Sequence, residues 1–373
     1  MPIDLPFPSL TDHADAVTLP APERAQVERI ARGLVARPPR PIDDPVWLEA
    51  AMTLSATLPA RLRERLRRFR HDAGQDGMVL LRNLPIADEA LPPTPNVPGS
   101  VQRLATVPAS VLALVAFQIG ELFAFREEKS GAMIQDVVPV PGMEHYQGNA
   151  GSAALTMHVE NAFHVNRPDY VALLCLRNDH DDLAGLEVAC ARRALHHLSE
   201  RVRAVLSEPR YVTAAPASFG AAGGAARPHA LLTGSQEDPD VRVDYTSTRP
   251  LDGVAAEAMA ELGRALRQVS RSVVLRPGDL AIVDNRLALH GRSDFRPRYD
   301  GRDRWLQRAF IQLDYRASRA LRPGAAGSST ADSPSRHLAR WTPPVDRAGR
   351  PRFVAPAEPR EPHTRITRRP ATR

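Results

Sequence analysis

The sequence predicts a mainly β protein with helical insertions, in which a distorted double-stranded β-helix (a jelly-roll or cupin-like core) is flanked by helices. Short apolar runs typical of buried strands recur along the chain, for example at 170–176 and 279–284. Segments with apolar residues at helical spacing interrupt these runs, and the strands resume after each of them. We therefore expect one double-sheet core with helices packed outside it.

The same periodicities assign the individual elements. Helical spacing predicts five helices, of which the third is strongly apolar and should pack across a sheet: 22–37, 44–71, 111–125, 191–206 and 254–273. Strand-like runs occupy the intervals between and after the helices: 77–85, 133–138, 170–176, 241–245, 279–284, 287–290 and 305–313. The chain is thus predicted to have an irregular N-terminal segment (1–22), one domain (23–316) and a Pro/Arg-rich, largely disordered tail (317–373).

Charge and composition leave few alternatives open. The net charge is +6 and the isoelectric point is near 9.9, so nucleic-acid binding has to be considered. Lys129 is the only lysine, and no zinc-finger, RNP-like or helix-turn-helix pattern accompanies the arginines. We expect an arginine-biased composition with a basic tail rather than a nucleic-acid surface.

The sequence also predicts a cytoplasmic protein that is not inserted in a membrane. No apolar run is long enough to cross a bilayer, and the N-terminus lacks the features of a signal peptide. Cys175 and Cys190 lie in apolar, strand-like contexts, where buried and reduced thiols are expected.

The stretch 157–164 contains a possible metal-binding pair, His158 and Glu160. On a strand these side chains point to the same face, because side chains alternate with a period of two. A second imidazole from a distant strand would complete a facial triad, which leaves three positions open on Fe(II). The His-x-Glu pattern alone is a weak signal, since a single histidine on a strand is more often a hydrogen-bonded structural residue.

His290 is the best candidate for the third ligand. It follows an apolar strand and precedes Gly291, which lets the chain turn sharply beside a site. His164 competes only if the strand through Glu160 continues, so a supporting or structural role is expected for it. The other histidines weighed against these lie in helical or loop contexts without a partner pattern: His145, His180, His196, His197 and His229.

The stretch RPGDLAIVDNRLALHGR at 276–292, continued to Arg308, makes the assignment specific. Together with 156–178 it resembles the clavaminate synthase-like branch of the Fe(II)/2-oxoglutarate-dependent oxygenases. That branch includes β-hydroxylases of free arginine and asparagine, and lysine hydroxylases. The resemblance extends over about residues 75–315, and the branch has a glutamate after the first histidine, as this chain has in Glu160.

The resemblance implies roles for individual residues. His158, Glu160 and His290 would bind iron, with Fe(II) and 2-oxoglutarate as cofactors and O2 as a reactant. Arg304 matches the arginine that binds the distal carboxylate of 2-oxoglutarate, and Arg308 matches the arginine that receives the α-carboxylate of an amino acid. A guanidinium suits both roles because it forms a bidentate, permanently charged pair with a carboxylate.

Further residues are implied to bind the substrate. Glu160 would also meet the α-ammonium group, and Asp244 falls where arginine hydroxylases bind the substrate's side chain with acids. Thr246 stands at the likely place of the second acid. Glu128 falls where relatives have a polar lid residue. An exposed strand residue and a solvated charge cluster are equally good interpretations of Asp244 and Glu128.

The chain departs from the family pattern at one point. The family usually has a threonine that helps to hold 2-oxoglutarate, whereas the corresponding stretch here, 183–189, reads LAGLEVA. If Glu187 faced the cosubstrate, the like charges would repel each other unless Arg304 or a proton compensated. The cosubstrate site is therefore expected to be altered, or the alignment to be shifted by one or two residues.

The resulting hypothesis is hydroxylation at C3 of a free basic amino acid or derivative, in specialised metabolism such as antibiotic biosynthesis. The same site would also allow desaturation or cyclisation. A non-catalytic jelly-roll binding protein is a second hypothesis, which predicts no succinate with any substrate. Nucleic-acid binding through the tail is a third, which predicts salt-sensitive binding that is lost without residues 320–373.

Overall fold

The structure, a computed structural model, describes residues 16–35, 39–216, 219, 227–319 and 337–338. Its helices are α1 (Ala21–Leu34), α2 (Pro45–Ser55), α3 (Ala60–His71), α4 (Val107–Ile119), α5 (Ala191–Leu195), α6 (Glu200–Leu206) and α7 (Gly253–Val269). Single 3-10 turns occur at Asp88–Ala90 and Lys129–Gly131. No helix among the described residues has the length and apolarity needed to cross a membrane.

The strands are short and spread along the whole described chain. The first nine are β1 (Ala16–Thr18), β2 (Met78–Arg82), β3 (Val101–Gln102), β4 (Glu121–Phe125), β5 (Ile134–Val137), β6 (Leu155–His158), β7 (Tyr170–Arg177), β8 (Gly185–Cys190) and β9 (Tyr211–Thr213). The others are β10 (Leu232–Gly234), β11 (Pro239–Val241), β12 (Thr248–Pro250), β13 (Arg271–Val274), β14 (Leu280–Asp284), β15 (Ala288–Arg292), β16 (Trp305–Gln312) and β17 (His337–Leu338).

The larger sheet has nine strands, in the order β1-β2-β14-β7-β16-β4-β17, with β5 beside β16 and β3 beside β5. β16 is its centre, because it pairs with β7 on one side and with both β5 and β4 on the other. All eight residues of β16 are buried. A side chain on its inner face is therefore held by strands on both sides.

The smaller sheet has the order β13-β8-β15-β6 and separates two hydrophobic clusters. Leu186 and Val188 of β8 pack in the main core together with residues of the larger sheet. Ala189 of β8 and Leu289 of β15 point to the other side and pack with α5, α6 and α7. Because side chains alternate along each strand, its two faces pack in two different hydrophobic clusters.

The helices cover the outside of the sheets, as the sequence predicts. α4 is apolar on all sides, and α1, α2 and α3 pack against it while it packs on β16, β4 and β7. A β-sheet core flanked by helices is confirmed. The narrower assignment to a double-stranded β-helix, or jelly roll, stays a prediction.

Several predicted elements are divided in the structure. The predicted helix 111–125 is wrong beyond Ile119, because the chain turns at Gly120 and returns as β4. A side chain at Gly120 would come within 2.6 Å of the Gln312 carbonyl oxygen, so only glycine allows this close approach. The predicted helices 44–71 and 191–206 are each two helices, and 254–273 is α7 followed by β13. Of the predicted strand 241–245, only Val241 lies in a strand.

The ends of the chain also differ from their predicted irregularity. Ala16–Thr18 forms β1, which pairs in parallel with Leu80–Arg82, and α1 begins at Ala21. In the predicted tail, Ser318 is buried and β17 pairs in parallel with β4. Residues 1–15, 36–38, 217–218 and 220–226 and the rest of the tail lie outside the described residues.

Candidate metal centre and substrate cavity

His158, Glu160 and His290 lie together at one end of the smaller sheet. His158 is the last residue of β6 and pairs directly with His290 in β15. Glu160 is not part of the strand, because the chain leaves β6 after His158 and turns. The alternation along one strand, which suggested the pair, is therefore not what positions the carboxylate.

Asn285 positions Glu160 instead. Its side-chain oxygen accepts a hydrogen bond from the Glu160 N–H (2.7 Å), and its amide group donates to the carbonyl oxygens of Glu160 (3.2 Å) and Pro168 (2.8 Å). Asn285 is fully buried in the turn between β14 and β15. The turn that leads the chain to His290 thus also fixes the backbone that carries Glu160.

The three side chains form a donor set that fits Fe(II). One potential ligand atom of each lies within 4.8 Å of the other two, and His290 Nε2 is 3.8 Å from Glu160 Oε2. His158 Nδ1 lies 2.8 Å from the Thr156 carbonyl oxygen, to which it donates, so its Nε2 atom is left for a metal. Two imidazole nitrogens and one carboxylate oxygen suit an iron that keeps open positions.

The electrostatics of the triad favour the protonation states that a metal requires. Burial alone would raise the pKa of Glu160, but the Arg308 guanidinium and the two imidazoles more than compensate and lower the pKa far below its usual range. Burial lowers the pKa of His290, and the neighbouring His158 lowers it further. Glu160 is therefore ionised and His290 neutral near pH 7.

Arg308 is the buried centre of a hydrogen-bonded network beside the triad. Its Nη1 group donates to Glu160 Oε2 (2.7 Å), and its Nη2 group donates to the side chains of Glu128 and Gln135. The Asn161 amide also donates to Glu128 (3.2 Å). Burial raises the pKa of Glu128, and nearby Glu160 adds to the rise although Arg308 opposes it.

Arg304 occupies a second buried compartment, next to Arg292. The two guanidinium groups lie over the ring of Phe295, at 5.8 and 5.4 Å from its centroid. Within the described part of the chain neither arginine pairs with a carboxylate, and neither Nε atom has a hydrogen-bond partner. Burial, and then Arg304, lowers the pKa of Arg292 to about 9. Two buried cations without an acid fit an anionic ligand such as 2-oxoglutarate.

β8 borders this compartment but supplies no hydroxyl to it. Leu186 and Val188 face the core and lie opposite Arg292 and His290. Glu187 has the opposite orientation, and its carboxylate is 3.5 Å from the Ser270 hydroxyl. The repulsion that the sequence suggested between Glu187 and a cosubstrate therefore does not arise.

A cavity of about 520 Å³ lies beside the triad. Its wall includes all the predicted substrate residues, Glu128, Glu160, Asp244 and Arg308, together with His158. Lys129 also lines it, and the other side chains of the wall are neutral polar or apolar, among them Gln147, Asn149, Ser247, Val140, Met143 and Phe219.

Asp244 lies in this wall, next to the first histidine of the triad. It forms an antiparallel bridge with His158. Its carboxylate accepts hydrogen bonds from the Thr246 N–H (2.8 Å) and the Ser247 hydroxyl (2.7 Å), so it stabilises its own turn. Of the acids lining the cavity, Asp244 is the one with no basic partner within the described residues.

Residues 40–310, well over half of the chain, match the family described as taurine catabolism dioxygenase TauD, TfdA family. The chain belongs to the TauD/TfdA family.

Relatives of known activity narrow its place within the TauD/TfdA family. The L-asparagine oxygenase of Streptomyces coelicolor is 50% identical over 307 residues, which are 82% of this chain and 92% of that protein. Clavaminate synthase 2 of Streptomyces clavuligerus is 36% identical over 274 residues, which are 72% and 84% of the two chains. A crystal structure of asparagine oxygenase with Fe(II), 2S,3S-3-hydroxyasparagine and succinate has a TM-score of 0.82 and 48% identity, covering 87% of this chain and 99% of that one.

These similarities confirm what the sequence predicts about the branch and the class of enzyme. The TauD/TfdA protein is a non-haem Fe(II)/2-oxoglutarate-dependent dioxygenase of the amino-acid hydroxylase type. Fe(II) and 2-oxoglutarate are its cofactors. The roles of the individual residues stay predictions at this point.

Three histidines outside the triad, His164, His229 and His180, have structural partners in this TauD/TfdA protein. His164 lies edge-on to Phe125, with ring centroids 4.9 Å apart, and burial lowers its pKa to about 4. The His229 ring is hydrogen-bonded to Thr213 (2.8 Å). His180, which has no partner pattern in the sequence, lies 3.0 Å from an Asp300 oxygen on the loop before β16.

Several residues that shape the site were not predicted from the sequence. Gln135 and Asn161 contact the Glu128–Arg308 pair from β5 and from the turn after Glu160. Arg292 stands only two residues after His290, within the stretch that carries the family resemblance. Its position in that stretch is a usable signal, whereas the contacts of Gln135 depend on strand pairing.

Proposed function

We propose that this dioxygenase hydroxylates C3 of free L-asparagine or of a close amide analogue. The observation that carries the proposal is the buried group formed by Arg308, Glu128 and Glu160 at the metal triad. A guanidinium and two carboxylates in one wall match the carboxylate and the ammonium group of a free α-amino acid. Held there, the head of the substrate would present its first side-chain carbons to the metal.

The rest of the cavity favours a neutral polar side chain. Glu128 and Glu160 already pair with Arg308, so only Asp244 remains for a cationic side chain, and it accepts two hydrogen bonds from its own turn. Asn149 and Ser247 offer further neutral donors and acceptors. The 50% identity with an L-asparagine oxygenase supports the same choice. The basic amino acid expected from the sequence is the second candidate, favoured by the charge of Asp244.

We assign the cofactor sites on the same basis. His158, Glu160 and His290 would hold the iron, and Arg304 would bind the distal carboxylate of 2-oxoglutarate. Leu186 stands opposite Arg292 and has no hydroxyl group. Arg292 itself would therefore supply the second donor that a threonine supplies in relatives. When bound, iron and 2-oxoglutarate activate O2 for attack on an unactivated C–H bond. The protein orients that bond and excludes water. A cytoplasmic location and a role in specialised metabolism complete the proposal.

The test is a screen of the proteinogenic amino acids, ornithine and citrulline with Fe(II), 2-oxoglutarate and O2. We expect asparagine to gain one oxygen atom by mass spectrometry, with one succinate formed per turnover. A loss of two hydrogens would indicate desaturation or cyclisation instead. Succinate formation with none of the amino acids would contradict the proposal and favour a binding protein.

Variants of the triad provide the control for this screen. His158→Ala and His290→Ala each remove one metal ligand, so turnover and Fe(II) binding should both be lost. His196→Ala removes an exposed histidine that follows α5 and does not line the substrate cavity, so both should stay unchanged. Normal turnover of either ligand variant would show that the assignment of the triad is wrong.

A further inference from the structure

Lys129, the only lysine of the chain, lies directly after Glu128 in the wall of the substrate cavity. Its ammonium group is turned toward the larger sheet. It donates to the carbonyl oxygen of Ser100 (3.0 Å), just before β3, and to that of Asp136 in β5. Of the 49 lysine and arginine residues of the chain, all except Lys129 are arginines.

The backbone around Lys129 is strained and needs an anchor. Lys129, Ser130 and Gly131 all have a positive φ (47°, 53° and 72°), a left-handed conformation that non-glycine residues adopt at a cost. Such segments persist only where contacts hold them. The Lys129 contacts, one from Arg103 to the Ser130 carbonyl oxygen (3.0 Å) and backbone hydrogen bonds of the turn hold this one.

Lys129 and Asp136, which accepts its hydrogen bond, each follow directly in sequence one of the two acceptors of the Arg308 Nη2 group. One acceptor, Glu128, is the residue before Lys129, and the other, Gln135, is the residue before Asp136 in β5. Lys129 therefore joins the segment that carries Glu128 to the strand that carries Gln135. If this link is loosened, the two acceptors lose their fixed spacing and Arg308 loses its orientation.

We propose that Lys129 is a positioning residue for recognition of the substrate's amino-acid head group, acting through Glu128 and Arg308. The proposal rests on the proposed function, because it assumes that these two residues bind the head group. It assigns Lys129 no contact with the substrate and no part in binding iron or 2-oxoglutarate. Its loss should therefore weaken binding of the amino acid selectively.

The charge of Lys129 provides a second, independent readout. Burial, and then the Arg308 cation, lowers the pKa of Lys129 to about 8, although Asp136 and Glu128 act in the opposite direction. Arg103 also contacts this segment, at the Ser130 carbonyl oxygen. The ammonium form is present below about pH 8 and is lost above it, so KM for the amino acid should rise in the alkaline range.

The chain allows a clean chemical test of this role. In Lys129→Cys, alkylation with 2-bromoethylamine forms a thioether and releases bromide, which recreates a lysine-like ammonium group. Alkylation with 2-bromoethanol gives a matched neutral side chain. Cys175 and Cys190 are buried, and burial raises both thiol pKa values, that of Cys190 to about 11, so they should not react. Mass spectrometry of the intact full chain checks the extent of each reaction.

We expect loss of the ammonium group to change KM for asparagine but not KM for 2-oxoglutarate or the affinity for Fe(II). The neutral form should raise KM for asparagine about tenfold or more, while KM for 2-oxoglutarate and Fe(II) affinity stay within about threefold of wild type. The ammonium form should recover KM to within about threefold. The part of the alkaline rise in KM that follows the ammonium group at position 129 should be present in the ammonium form and absent from the neutral form, in which only the substrate's own α-ammonium group titrates.

The outcomes separate the two proposals. If wild type neither binds nor hydroxylates asparagine or another amino acid, the proposed function fails and the role of Lys129 fails with it. If wild type is active but the neutral and ammonium forms have equal KM values and pH profiles, only the role of Lys129 is rejected. A fall in kcat together with a rise in every KM value would also reject it, since that pattern indicates a structural role.

Discussion

Asn285 shows how much of the metal site depends on a residue that is not a ligand. From the turn between β14 and β15, its side-chain amide makes hydrogen bonds to both backbone groups of Glu160. Such contacts orient metal ligands, and their loss commonly costs 10- to 100-fold in metal affinity, roughly, in comparable sites. The position of Glu160 is therefore a property of two chain segments rather than of the His-x-Glu stretch.

The first prediction at this scale concerns Asn285→Ala. Fe(II) affinity should fall about 10- to 100-fold, because Glu160 loses its fixed backbone. The variant should also unfold more easily by about 1–3 kcal/mol, since buried backbone groups lose their partners. Metal titration and thermal unfolding measure the two effects. Unchanged Fe(II) affinity together with a lower unfolding temperature would mean that Asn285 only stabilises the turn.

The second prediction concerns Arg292, which we place beside the distal end of 2-oxoglutarate. Arg292→Met should raise KM for 2-oxoglutarate about tenfold or more, the effect of losing one charge-assisted hydrogen bond of about 1.5–3 kcal/mol. KM for the amino acid should stay close to that of wild type. Adding Leu186→Thr should recover part of the loss, because Leu186 lies directly opposite position 292. Equal effects on both KM values would contradict the assignment.

At the scale of elements, the sequence predicts periodicity well and element ends poorly. The strands β7, β14 and β16 lie where apolar runs predict them, because buried strands need apolar residues on both faces. The helix predicted over 111–125 continues too far, since the apolar pattern does not change where α4 ends and β4 begins. The break depends on the backbone of β16, which is distant in sequence and leaves room only for Gly120.

The third prediction tests this junction. In Gly120→Ala the new methyl group would lie 2.6 Å from the Gln312 carbonyl oxygen, so the end of β16 has to shift. We expect a loss of about 1–3 kcal/mol in the free energy of unfolding, typical of overpacking. Gly33→Ala in α1 is the matched control, because no atom lies within 4 Å of its added methyl group. That variant should gain roughly 0.5–1 kcal/mol from helix propensity. Denaturant unfolding of both variants decides the matter.

At the scale of the whole molecule, the candidate site was predictable to the extent that it resembles a family. The proposed ligand triad, Arg304 and Arg308 follow from matched positions. The structure brings the triad and Arg308 together and places Arg304 beside Arg292. Composition alone would have misled, because a net charge of +6 suggested a polyanion partner. In the fold, many arginines are paired with acids, as Arg192 is with Asp238 (2.6 Å) and Arg286 is with Asp284 (2.6 Å). What no local pattern indicates is pairing over long sequence distances, such as that of Gln135 with Arg308.

The Arg308 network has a consequence for selectivity. Its guanidinium is already neutralised by Glu160 and Glu128, so an arriving ligand does not simply add to the site but exchanges partners with it. A simple carboxylic acid would pair with the guanidinium and leave two buried carboxylates without a counter-charge. A simple amine would pair with the carboxylates and leave the guanidinium without one. Only a zwitterion replaces both halves at once. On the proposed function, the site would therefore discriminate by charge balance against simple acids and simple amines.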